Sequence, residues 1–90
     1  MSNWFRVTFV NPTGYKYEAT GRATTPEEAV RLADETIEYV ERVGISDFLN
    51  EDGLTVRPPA SLWVDVVDES VTGSGFGLVI TDPEGRVTRK

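Results

Sequence analysis

The sequence has no cysteine and no histidine. The first absence removes disulfides, thiolate nucleophiles and thiolate metal sites. The second removes the commonest general base and the commonest metal ligand. Any catalysis would fall to carboxylates, arginines or the tyrosines Tyr15, Tyr17 and Tyr39. No enzymatic activity, cofactor or bound metal is therefore expected. Long apolar runs are missing too, far short of the ~20 residues that span a bilayer, so no membrane partner is expected. The opening residues, MSNWFRVTFV, lack the basic and apolar regions and the cleavage site of a secretory signal. The expected location is the cytoplasm.

Positive charge is scarce. Nine Lys and Arg stand against fifteen Asp and Glu, a net charge of −6. Nucleic-acid binding draws on basic side chains that displace counterions, so direct nucleic-acid binding is not expected. The charge is also uneven. Residues 26–69 carry twelve acids against Arg31, Arg42 and Arg57, a net −9, while the two ends together carry +3.

What remains is an ordinary globular composition, 39% hydrophobic and 27% charged. Ninety residues make one domain, residues 1–90. Residues 4–10, WFRVTFV, alternate: Phe5, Val7 and Phe9 face one way, Trp4, Arg6, Thr8 and Val10 the other. The turn NPTG follows, and residues 15–23 alternate again, which predicts an antiparallel hairpin. TPEE, residues 25–28, marks a helix start: Thr25 as N-cap, Pro26 in the first turn, and Glu28 completing a capping box. The helix is expected from Pro26 to about Val43, with Gly44 as its C′ residue. Its apolar half holds Ala29, Val30, Leu32, Ala33, Thr36, Ile37, Tyr39, Val40 and Val43. Glu27–Arg31 and Glu38–Arg42 are expected as i,i+4 ion pairs.

Residues 46–53 are read as one helical turn with Phe48 and Leu49 under the sheet, and RPPAS, residues 57–61, as an extended linker. SLWVDVVDE forms a third strand. An unpaired buried Asp65 would be costly, so Leu62, Val64 and Val66 face the core and Trp63, Asp65 and Val67 face away. FGLVIT, residues 76–81, forms a fourth strand, DPEG a turn, and RVTRK a short final strand. The fold class is α+β: a two-layer ββαββ(β) arrangement, mostly antiparallel, with one amphipathic helix on one sheet face.

Four features carry candidate chemistry. The glycine run VTGSGFG, residues 71–77, could cradle a phosphate, but no helix or lysine follows it, so a hairpin loop is expected, with a bulge at Gly77. Asn50-Glu51-Asp52-Gly53 echoes a calcium loop without its downstream glutamate and is read as a solvated turn, as are Asp65, Asp68 and Glu69. The acidic helix face, with Glu27, Asp34, Glu35, Glu38 and Glu41, is a secondary surface for a basic partner. The most informative feature is the face carrying Trp4, Arg6, Arg22 and Trp63, because Trp and Arg are enriched at binding hot spots.

The segment TTPEEAVRLADETIEYVERVG, residues 24–44, followed by prolines, resembles the helix of HicB-type antitoxins, in which a strand leads into a T-x-E-E-A helix start. The resemblance covers roughly a quarter of the chain and implies antitoxin-like inhibition of a protein partner. Small acidic single domains are also common among phage and mobile-element proteins that inhibit host systems. The expected function is thus a small non-enzymatic protein-binding module, with an anti-defence inhibitor as a special case. The partner is another protein or a second copy of the chain, packed sheet to sheet in a structural or regulatory homodimer.

Overall fold

The computed structural model describes residues 3–68 and 77–89. The strands are β1 (Asn3–Val10), β2 (Lys16–Ala23), β3 (Ser61–Val67), β4 (Gly77–Thr81) and β5 (Val87–Arg89), with one helix, α1 (Pro26–Glu41), between β2 and β3. All strand pairs are antiparallel, in the order β3-β1-β2-β4-β5. The α+β class and the single amphipathic helix expected from the sequence are present.

Alternation in β1 divides the molecule. Phe5, Val7 and Phe9 point under the helix and are at most 4% exposed. Tyr17 and Ala19 of β2 and Leu78 and Ile80 of β4 share that face. Ala29, Val30, Ala33 and Ile37 cover it from α1. Burying a side chain the size of Phe9 stabilises the fold by about 1.5–3 kcal/mol, so this layer accounts for the packing of helix on sheet.

The helix starts as its sequence dictates. The Thr25 hydroxyl accepts the Glu28 N–H at 3.1 Å. The return half of the box is displaced by one residue: the Glu28 carboxylate accepts from the N–H and hydroxyl of Thr24, at 3.2 and 3.1 Å. The end differs from expectation. The helix stops at Glu41, and Arg42, not Gly44, takes the left-handed cap with φ 62°. That turns Arg42 out of i,i+4 geometry with Glu38, and Arg31 pairs with Glu35 at 3.1 Å rather than with Glu27. Tyr39 is 90% exposed and Val43 51%. Tyr39 lies about 120° from Ala33 around the helix, beyond the buried stripe, and Val43 lies past the helix end. Gly44 has an ordinary φ of −96° and lies close against the helix side chains instead. A Cβ there would stand 2.2 Å from Oδ1 of Asp34, the oxygen that accepts the Ser46 N–H at 3.0 Å.

The segment after the helix completes the core on the β1 side. Ile45 is fully buried in a single 3₁₀ turn, Ile45–Asp47. The Phe48 ring packs on Phe9 with centroids 5.7 Å apart. Leu49 bridges to Val56, and the Arg57 N–H donates to the Phe48 carbonyl at 2.9 Å. RPPAS is not an extended linker: the Ala60 N–H donates back to the Arg57 carbonyl at 3.0 Å, closing a turn around the prolines.

The order of the strands corrects one reading of the glycine run. β3 pairs with β1 and β4 with β2, so two strands stand between them and their connection is not a hairpin. Sequential strands are usually neighbours, but here the free edge of β1 takes β3. Gly77 pairs one-to-one with Thr20, without a bulge. Residues 71–76 lie outside the described residues.

Two turns repeat one design. In Asn11–Tyr15, the Asn11 side chain accepts the N–H groups of Thr13 and Tyr15, and Gly14 has φ 94°. In Asp82–Arg86, the Asp82 carboxylate accepts those of Glu84 and Arg86, and Gly85 has φ 90°. The positive φ explains the glycine, and the i to i+2 side-chain bond explains the Asn or Asp. Only the second turn titrates. The Arg86 N–H, with the Arg86 guanidinium and the Glu84 N–H, holds the Asp82 carboxyl below its ordinary value of 3.8, while desolvation works the other way. The folded pKa is depressed, so this stabilisation is present above 3.8 and is lost as pH falls through the folded value. Asp82→Asn, which copies the chemistry at Asn11, should fold normally and lose less stability on acidification than the wild type. Urea midpoints at neutral and strongly acidic pH check this; an unchanged acid decline would count against it.

Candidate functional site

The sheet face away from the helix is the larger candidate surface. The register places Trp4, Arg6, Thr8 and Val10 of β1 on it, with Lys16, Glu18, Thr20 and Arg22 of β2, Trp63, Asp65 and Val67 of β3, and Val79 of β4. Asp65 faces outward and Trp63 with it, as the cost of burying an unpaired carboxylate predicts. The segment 45–60 closes the helix side and leaves this face to the strands.

The four expected contact residues form a diagonal across three strands. Trp4 is directly opposite Arg22 on β2 and Val67 on β3. Arg6 is opposite Thr20 and Asp65, and Trp63 is opposite Thr8. The two tryptophans therefore share a face but are not neighbours. They are four positions apart along the strand, about 13 Å at ~3.3 Å per residue, and Arg6 stands between them. Trp63 is 53% exposed and Trp4 half-buried.

A shallow depression is lined by Arg6, Thr8, Val10, Lys16, Glu18, Trp63 and Asp65. Trp63 and Glu18 stand on either side of Thr8, whose exposure falls to 8%. Lys16 and Glu18 pair at 3.7 Å. Counting Arg89 of β5, four basic residues on this face (Arg6, Lys16, Arg22, Arg89) meet two acids, Glu18 and Asp65. The face is apolar and mildly basic, opposite in sign to the exposed helix surface.

The acidic helix residues have separate duties. Asp34 is tied to Ser46 and Glu35 to Arg31. Glu27 and Glu38 lie exposed. Glu41 joins a second concavity at the helix end, with Pro12, Tyr15, Tyr17, Val43 and Phe48. The Tyr15 and Tyr17 rings stack with centroids 6.4 Å apart, and Tyr17 stacks on Phe9 at 6.1 Å. Burial raises the Tyr17 pKa above 10.0, and the charge of Glu41 and the neighbouring Tyr15 push the same way. Sequence reasoning missed this cleft because its walls come from the first turn, β2 and the helix end. The alternation of Tyr15 and Tyr17 was the one available signal.

The turn at Asn50–Thr55 is self-contained. The Asp52 carboxylate accepts from the N–H groups of Leu54 and Thr55 and from the Thr55 hydroxyl, at 2.7–2.9 Å. The Thr55 hydroxyl and those two N–H groups hold its pKa below 3.8. Among the described residues no group of three acids could hold a metal ion, and no helix is long and apolar enough to cross a membrane. Glu69 lies outside the described residues. No protein-family model, curated protein or solved structure matches the chain significantly.

The two tryptophans should differ in solution. With Trp4→Phe, the remaining Trp63 should emit to the red and be readily quenched by acrylamide; with Trp63→Phe, the remaining Trp4 should be bluer and better shielded. A blue, shielded Trp63 would contradict the outward facing of β3.

Proposed function

We propose that this chain is a non-catalytic protein-binding module whose contact surface is the open sheet face, anchored by Trp4, Arg6, Arg22 and Trp63. The observation that carries the reading is Trp63: a large aromatic 53% exposed on a face shared with Trp4 and two arginines. A single exposed apolar residue is ordinary; here the exposed indole shares its face with a second tryptophan, four positions along the strands, and with two arginines. Indole and guanidinium groups supply large contact area and directed hydrogen bonds, which is why they dominate interface energetics.

The chemistry of the face suits a partner surface that is apolar at its centre and acidic at its rim, because complementary charge steers docking and fixes register. The exposed acids Glu27 and Glu38 form a second surface of opposite sign on the helix. Inhibition of a toxin or host protein is the narrower form of this reading; it draws on the size, the acidity and the helix segment, whereas the binding face draws on the geometry.

Photo-crosslinking from position 63 in cells identifies the partner, and titration of the purified partner then tests the anchors. Trp63→Ala should weaken binding by roughly thirtyfold or more, the ~2 kcal/mol loss of a hot spot. Glu51→Lys, exposed in the turn after the helix and outside both surfaces, should leave affinity within about threefold. Equal binding by Trp63→Ala and wild type would contradict the assignment. A crosslink from position 63 to Arg22 or Val79 of a second copy, on the open face away from the β3 edge, would identify face-to-face self-association as the use of this surface.

A further inference from the structure

The two edges of the sheet are built differently. At one edge β5 is three residues long and carries Arg89. A short, charged edge resists further pairing. At the other edge β3 is seven residues, SLWVDVV, with one charge, no proline and an unbroken one-to-one register against β1. Among the described residues no strand pairs with this edge.

The direction of the unpaired groups follows from the register. The Asn11 N–H donates to the Tyr15 carbonyl, and the Asn11 carbonyl accepts from Gly14. Asn11 therefore points its backbone toward β2, as do Phe9, Val7 and Phe5 two, four and six residues back. Alternation turns Val10, Thr8, Arg6 and Trp4 toward β3. Their partners Ser61, Trp63, Asp65 and Val67 point back at β1. The N–H and C=O groups of Leu62, Val64 and Val66 consequently point outward, where no described strand pairs with them.

We propose that the β3 edge pairs with β3 of a second copy, antiparallel and centred on Val64, joining the two sheets into one. This register is self-complementary. Val64 meets Val64, Leu62 meets Val66, and every outward backbone group of these three residues finds a partner. On the helix side it places Leu62 beside Val66, which is 68% exposed in the single chain. On the open side Trp63 lies opposite Asp65 of the second copy. The single charge of β3 never faces itself, and within each copy it has Arg6 beside it on β1. A shift of one residue would set outward groups against inward ones. The helix packs mainly over β2 and β1 and only lightly on β3. Two-fold symmetry is the common closure for such a self-matching patch. The pairing is independent of the binding face and extends it: the open faces of both copies become continuous.

Val66→Pro tests the pairing. Its N–H points outward, so proline removes no bond to β1 but removes one across the edge. Val66→Lys serves as a second variant that keeps the backbone donor. Wild-type chain should sediment at twice the 10.0 kDa chain mass at high concentration and dissociate on dilution. Both variants should stay monomeric with unchanged circular dichroism. Amide exchange at Leu62, Val64 and Val66 should be slow in the wild-type dimer and fast after dilution. A wild type that is monomeric at all concentrations overturns the proposal. So does a dimer that survives both substitutions with those three amides unprotected, which would identify packing through the faces instead.

Discussion

The rest of the structure depends on the pairing of β1 on both sides. A strand with two neighbours and one buried face has no freedom of register. Phe5, Val7 and Phe9 must lie under the helix, so Trp4, Arg6, Thr8 and Val10 must lie outside. The same alternation, passed through hydrogen-bonded neighbours, sets the facing of β2 and β3. A slip of one residue would exchange the core for the surface at every position. The apolar burial of this layer is what makes that exchange costly, and local propensity only assists it.

Local chemistry closes what the strands begin. Asn11 and Asp82 each use one side chain to gather the N–H groups of a tight turn, and Gly14 and Gly85 supply the left-handed residue. The two turns lie side by side, since a Cβ on Gly14 would meet Pro83 at 3.5 Å. The helix start is fixed by Thr24, Thr25 and Glu28. Its exit is fixed by Asp34, which holds Ser46 and which a Cβ on Gly44 would push aside. This contact aligns Ile45 and Phe48 with the end of the sheet. The core is thus closed from the β1 side without a second helix.

Features that depend on near neighbours were legible in the sequence. The hairpin, both Pro-x-Gly turns, the helix start and the outward facing of Asp65 all follow from residues a few positions apart. The facing of Trp63 followed from the cost of burying one carboxylate. Other features depend on contacts across the chain. Gly44 read as a helix cap because glycine usually is one; in the fold Arg42 takes the cap and Gly44 lies against Asp34, ten residues earlier. The glycine run read as a hairpin because consecutive strands usually pair, and the sequence carries no sign that β3 belongs beside β1. The cleft around Tyr15, Tyr17, Glu41 and Phe48 joins three segments that only the register brings together. Separation of the two tryptophans by Arg6 was hidden for the same reason.

The surfaces follow from that frame. One face is apolar and mildly basic, the helix is acidic, and one edge is long and unpaired among the described strands. Each is a consequence of β1 lying between β2 and β3 in a single register. Nuclear Overhauser contacts between the Cα protons of β1 and β3 test this most directly. Val7 with Val64 and Phe9 with Leu62 are non-hydrogen-bonded pairs, in which the Cα atoms approach most closely. The account predicts strong cross-peaks for both pairs. Cross-peaks displaced by one residue, Val7 with Trp63 for example, would put Trp63 under the helix and contradict it.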